Sequence, residues 1–177
     1  MCIGGFIRYD TMADLAEILM VEHIGIRNAE WILNPHDTER FLGFLTYMKE
    51  CHIEIEEKVC FPLLENYAFP DKVNFTAKVK RIRADHKLIE KLGWDVITWN
   101  NSGEPDKETS RIPLFYKTLL DHNLEEDNDL FPRWDLLDKR ETETAMKEAL
   151  SIIESFGVTN GRRLQALMNP CSATSSR

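Results

Sequence analysis

Two stretches of the chain, CHIEIEEKVCFP at 51–62 and DHNLEEDNDLFP at 121–132, share one pattern. Each holds a His with a Glu four residues on: His52 with Glu56, and His122 with Glu126. Each then reads Phe-Pro, and the copies lie 122 − 52 = 70 residues apart. Two further histidines, His23 and His86, stand alone. On a helix, residues i and i+4 share a face, so each pair presents an imidazole beside a carboxylate. One His on an apolar face is ordinarily a core histidine bonded to a backbone carbonyl. Four imidazoles and two carboxylates in one buried layer are a different matter, because each carries a heavy desolvation cost without strong partners. A metal centre removes that cost, since cations bind carboxylate oxygens and neutral imidazole nitrogens.

The number of donors bears on the number of ions. Six ligands would saturate one octahedral ion and leave no reactive position. Two carboxylates can instead bridge two ions, with two His on each and a position left open. Mixed His and carboxylate ligation with open positions suits iron best, with manganese and zinc as alternatives. A structural zinc site would prefer Cys and four-coordination. Cys2, Cys51, Cys60 and Cys171 form no CxxC pair and read as reduced thiols.

The elements that must position these groups read as helices throughout, with scarce glycine and no convincing strand. The spacing predicts helices over about Met12–Leu33, Thr38–Tyr67, Lys72–Asn100, Arg111–Leu137 and Glu141–Phe156. Thr11 is the expected cap of the first, with Asp14 as its partner. Pro62 and Pro132 are expected to kink or end their helices. NNSGEPDKETS at 100–110 reads as a polar loop, and Gly157 as the stop of the fifth helix. Steps of three and four trace an apolar stripe on each long helix: Ala16, Leu19, His23, Ile26; Leu45, Met48, His52, Ile55; Ile82, His86, Ile89; Phe115, Leu119, His122. Each stripe carries one His near its middle, and an up-down-up-down bundle would bring the four to one level. The expected fold is therefore all-α, a four-helix bundle with a short extra C-terminal helix. The bundle and fifth helix would occupy 1–157, and 158–177 would form a partly disordered tail. Since each half supplies one lone His and one His-x-x-x-Glu, the 100–110 segment lies inside one domain.

The order His23, His52-x-x-x-Glu56, His86, His122-x-x-x-Glu126 resembles the hemerythrin-like, or HHE cation-binding, family over roughly residues 12–137. The Phe-Pro after each pair is also similar to family members. The resemblance implies a four-helix bundle around a non-haem, oxo- or hydroxo-bridged di-iron centre. In it, His23, His52, His86 and His122 are terminal ligands and Glu56 and Glu126 bridges. The oxygen-carrying members have a further His four residues along the third helix, where this chain has Glu90. What the resemblance implies for function is binding of a small diatomic ligand, O₂ or NO, at an open iron position, in sensing or stress defence. The alternative is a di-iron enzyme (peroxidase, oxidase or NO reductase), or an iron donor for iron–sulfur cluster repair.

Net charge, 22 − 30 = −8, argues against nucleic acid and anionic membrane partners. No apolar run spans a bilayer, and the start MCIGGFIRYD lacks a secretory pattern, so a cytoplasmic location is expected. A protein partner or a homodimer remains open. His36 reads as an exposed loop residue, and Tyr47 and Tyr116 as packing groups near the His-Glu pairs. Glu30 reads as the point where the bundle opens to water or as part of a ligand path. Glu54, Glu57, Glu125, Asp127 and Asp129 read as a solvated acidic face.

Overall fold

The computed structural model describes residues 14–67, 69–102 and 105–168. Helix α1 (Leu15–Arg27) opens on a reciprocal cap: Asp14 accepts from the Glu17 N–H, and Glu17 accepts from the Asp14 N–H. Asp14 is thus the cap itself; the expected cap Thr11 lies outside the described residues. The helix stops at Arg27 rather than Leu33, because the Asn28 side chain donates to the Ile24 carbonyl. A separate short turn, Ala29–Ile32, follows.

Helix α2 covers residues 38–66 and begins at Asp37, whose side chain accepts from the Arg40 N–H. Pro62 does not end it. The helix widens into two π turns, Met48–His52 and Glu56–Cys60. The second closes with the Phe61 N–H donating to the Glu56 carbonyl, immediately before Pro62. A proline lacks the N–H and crowds the carbonyl four residues back, so a wide turn just ahead of it is the relief. Helix α4 covers residues 105–136 and repeats the device after its regular part, Pro105–Glu125. A π turn, Glu126–Leu130, closes with the Phe131 N–H on the Glu126 carbonyl, and a 3₁₀ segment, Phe131–Leu136, carries Pro132.

Helix α3 (Lys72–Ser102) and α4 absorb most of the predicted 100–110 loop. Pro105 at the first position of α4 is compatible with a helix start, because its missing N–H would have had no partner there. Helix α5 (Lys139–Met168) runs through Gly157 rather than stopping. A single glycine in a helix costs about 1 kcal/mol relative to alanine, too little to end it alone.

The result is an all-α bundle. Pairs Lys49–Glu90 and Arg83–Glu65 set α2 antiparallel to α3; Lys78–Asp129 and His86–Glu126 set α3 antiparallel to α4. Two apolar clusters fill it. One gathers Leu19, Ile55, Ile82 and Leu130, with Ala149 and Phe156 of α5. The other gathers Ile26, Met48, Ile89 and Leu119. On every bundle helix the predicted His lies between a residue of one cluster and a residue of the other. The four therefore fall in one layer across the middle of the core.

Candidate metal centre

All six predicted donors meet in that layer. His23, His52, Glu56 and Glu126 are fully buried, and His86 and His122 nearly so. Donor atoms of His23, His52 and Glu56 lie within 4.8 Å of one another, as do those of Glu56, His86, His122 and Glu126. Glu56 belongs to both sets. Its Oε1 lies 3.2 Å from His52 Nε2 and 3.5 Å from His23 Nε2, while its Oε2 lies 3.2 Å from His86 Nε2. Glu126 reaches across in the same way: Oε2 is 3.2 Å from His122 Nε2 and 3.5 Å from His23 Nε2, and Oε1 is 3.8 Å from His86 Nε2. Ligand bonds of roughly 2.0–2.2 Å put neighbouring donors on one ion about 3–3.5 Å apart, so the cage has the right size.

The ring orientations add a second test of fit. His23 gives Nδ1 to Asp127 Oδ1 at 2.7 Å, His52 to Glu22 Oε2 at 2.9 Å, and His86 to Glu57 Oε1 at 2.8 Å. A carboxylate on Nδ1 fixes the proton there and leaves the Nε2 lone pair aimed inward. His23 and His52 then face each other Nε2 to Nε2 at 3.1 Å. Two lone pairs at that distance repel unless a proton or a metal ion stands between them. The two buried carboxylates, and the Nε2 atoms of His86 and His122, likewise find no hydrogen-bond partner. Groups so buried and so orphaned call for an ion.

The outer acids are themselves held. Arg27 Nη1 donates to Asp127 Oδ2 at 2.5 Å. Arg83 donates from Nε to Glu57 and from Nη1 to Glu65, each at 2.8 Å. The arrangement crosses between halves. Glu57 follows Glu56 in the first copy and holds His86 of the second half; Asp127 follows Glu126 in the second copy and holds His23 of the first half. The Phe of each Phe-Pro crosses too. Phe61 stacks on His86 at 5.6 Å, and Phe131 tilts against His23 at 5.5 Å. His122 breaks the pattern, for its Nδ1 has no partner.

The electrostatics of the cage follow from this crowding. Burial alone would lower the His52 pKa, but the carboxylates of Glu56 and Glu22 overcome it and lift it to about 10. His86 is also raised: burial opposes it, and Glu56 and Glu57 prevail. Burial and the neighbouring His86 push His122 well below the ordinary range. Against the penalty of burial, His52 and His23 hold Glu56 ionised, far below the usual carboxylate value. Burial and the charge of Glu56 drive Glu126 the other way. Burial is likewise outweighed at Glu57 and Asp127, both lowered by their His and Arg partners.

The remaining predicted groups stand apart. His36 is exposed in the turn before α2. Glu90 pairs with Lys49 near the surface and is not among the residues gathered in the cage. Tyr47 packs between the His52 and Phe156 rings, at 6.5 and 5.9 Å. Tyr116 is buried among the apolar residues of the second cluster. Glu30 is exposed. Cys51 and Cys60 are free and buried; Cys2 and Cys171 lie outside the described residues. The reading of the acidic residues as one solvated face needs correction. Glu54, Glu125 and Asp129 pair with Lys58, Arg81 and Lys78. Glu57 and Asp127 instead bond the Nδ1 atoms of His86 and His23, and Glu22 does the same for His52. The signal was in the repeat: an acid directly follows the Glu in both copies.

Among the described residues, no helix is long and apolar enough to cross a membrane. No curated protein and no solved structure matches the chain. The hemerythrin HHE cation binding domain matches residues 10–134, a span that contains all six donors. The match and the buried cage agree, and the chain belongs to the hemerythrin HHE cation-binding domain family.

Proposed function

We propose that the centre holds two iron ions and binds a small diatomic ligand, O₂ or NO, at an open iron position, in sensing or stress defence within the cytoplasm. His23 and His52 would serve one ion and His86 and His122 the other, with Glu56 and Glu126 shared. The observation that carries this reading is Glu56, which turns one oxygen to each group of histidines. One carboxylate facing two nitrogen sets suits two adjacent cations better than one.

Bound iron would supply a ferrous–ferric couple and a position for an exogenous ligand. The chain's own part is to hold the rings and exclude water. Asp127, Glu22 and Glu57 hold the Nδ1 protons of three imidazoles, so the inner nitrogens are the ones offered to the ions. Phe61 and Phe131 wall the layer on one side, and Met48, Ile89 and Leu119 wall it on the other. Manganese or zinc would fit the same donors with less use for the open position.

Elemental analysis of the protein after iron-supplemented expression tests the ion count, with two irons per chain expected. Titration of the reduced protein with NO under anaerobic conditions then tests the ligand. One ion per chain, or two ions with no spectral response to O₂ or NO, would overturn the reading.

A further inference from the structure

The two halves of the cage are not equivalent, and the difference lies at Asn123. This side chain is fully buried on α4, and neither its amide nitrogen nor its oxygen has a hydrogen-bond partner. Buried amides are rarely left so, because the lost hydration goes uncompensated. The equivalent residue of the first copy, seventy positions earlier, is Ile53, packed against the second apolar cluster. Asn123 lies three residues before Glu126 and four before Asp127, so it shares the face of α4 that carries both. Asp127 bonds His23 and Arg27, which places that face against α1.

We infer that the Asn123 carboxamide donates a hydrogen bond to the exogenous ligand of the centre. This deepens the function proposed above and rests on it. The carboxamide suits the task because it is neutral: it adds no charge to a cage that already holds two carboxylates. Its oxygen remains free to accept from a ligand that carries a proton. Ile53, its counterpart in the first copy, offers no such group. Asn123 is thus a positioning residue for ligand, not a metal ligand.

The test uses the iron-loaded protein with two probes, azide on the oxidised centre and NO on the reduced one. Asn123→Leu, similar in shape, is expected to retain wild-type iron content and to bind azide roughly tenfold more weakly, the effect of one hydrogen bond in a dry site. The N–O stretch of the wild-type NO adduct is expected to shift between H₂O and D₂O. That second measurement stands even where the variant fails to fold. Equal azide affinity in the variant, or an N–O stretch indifferent to D₂O, would overturn the role of Asn123 and leave the open position intact. Failure of wild-type protein to bind either probe would instead overturn the ligand-binding reading on which it rests.

Discussion

The sharpest prediction concerns Asp127, which touches no predicted ion. Asp127→Asn preserves shape and removes charge. In the wild type, one carboxylate oxygen fixes the His23 Nδ1 proton at 2.7 Å and the other accepts from Arg27 at 2.5 Å. The carboxylate is only 13% exposed, so water screens these bonds little. A carboxamide can donate to Nδ1 as readily as accept from it. His23 is then free to carry its proton on Nε2, where it cannot ligate. Loss of such an orienting partner typically costs about 10–100-fold in metal affinity, or about 1.4–2.7 kcal/mol. Glu57→Gln should produce a loss of the same size through His86. Glu54→Gln, which disturbs only a surface pair with Lys58, should produce none. Chelator competition against reduced, iron-loaded protein measures all three. Wild-type affinity in both Asp127→Asn and Glu57→Gln would refute the assignment of those acids as ring-orienting groups.

Metal uptake should release at least one proton near pH 7, because His52 stands at about 10 in the empty cage and must give up its proton to bind. Affinity should accordingly climb as pH rises toward that value; proton counting by calorimetry in buffers of different ionisation heat checks it. In the metal-free chain the sign reverses: His52 is raised above its ordinary value, so its stabilising contribution is present below about 6.5 and fades as pH rises through about 10. Phe131→Ala should cost about 3–5 kcal/mol in urea unfolding, since its ring is buried against His23. Gly93→Ala and Gly157→Ala should move thermal stability in opposite directions. A methyl group at 93 would come 2.5 Å from the Leu45 side chain, whereas nothing lies within 4 Å at 157. The first should lose about 1–3 kcal/mol to overpacking and the second gain up to about 1 kcal/mol of helix propensity.

The convergence of the six side chains was legible because each sits on a stripe of helical period, and the stripe says which way a side chain faces. The outer acids were not, because an acidic residue on a charged helix looks the same whether it faces water or a ring nitrogen. Only the distance from Glu57 to His86 separates it from Glu54. The helix ends were misread for a related reason. Residues 100–110 are polar, and polarity marks exposure, which helix termini share with loops; α3 reaches Ser102 and α4 begins at Pro105. Gly157 carries the signature of a stop, yet it sits on an open face where glycine is tolerated. The π turns had no composition of their own. What encodes the two that precede prolines is spacing: Glu, then four residues, then Phe and Pro, so that a five-residue turn closes one step before the proline.

That spacing also explains why the motif had to be written twice. Were each copy self-sufficient, Glu57 would hold His52 and Phe61 would wall it. Instead the π turn after Glu56 carries Glu57 and Phe61 over to His86, while its twin carries Asp127 and Phe131 over to His23. A lone histidine is therefore oriented only by the opposite copy. Either copy alone would bury a carboxylate and two imidazoles with half their partners missing, at a cost that apolar burial nearby would struggle to offset. Joined, the two copies lend each other the acid, the aromatic wall and the bridging oxygen. The long α3–α4 hairpin between them is consequently part of the centre's construction, because the register it fixes decides whether Glu126 meets His86.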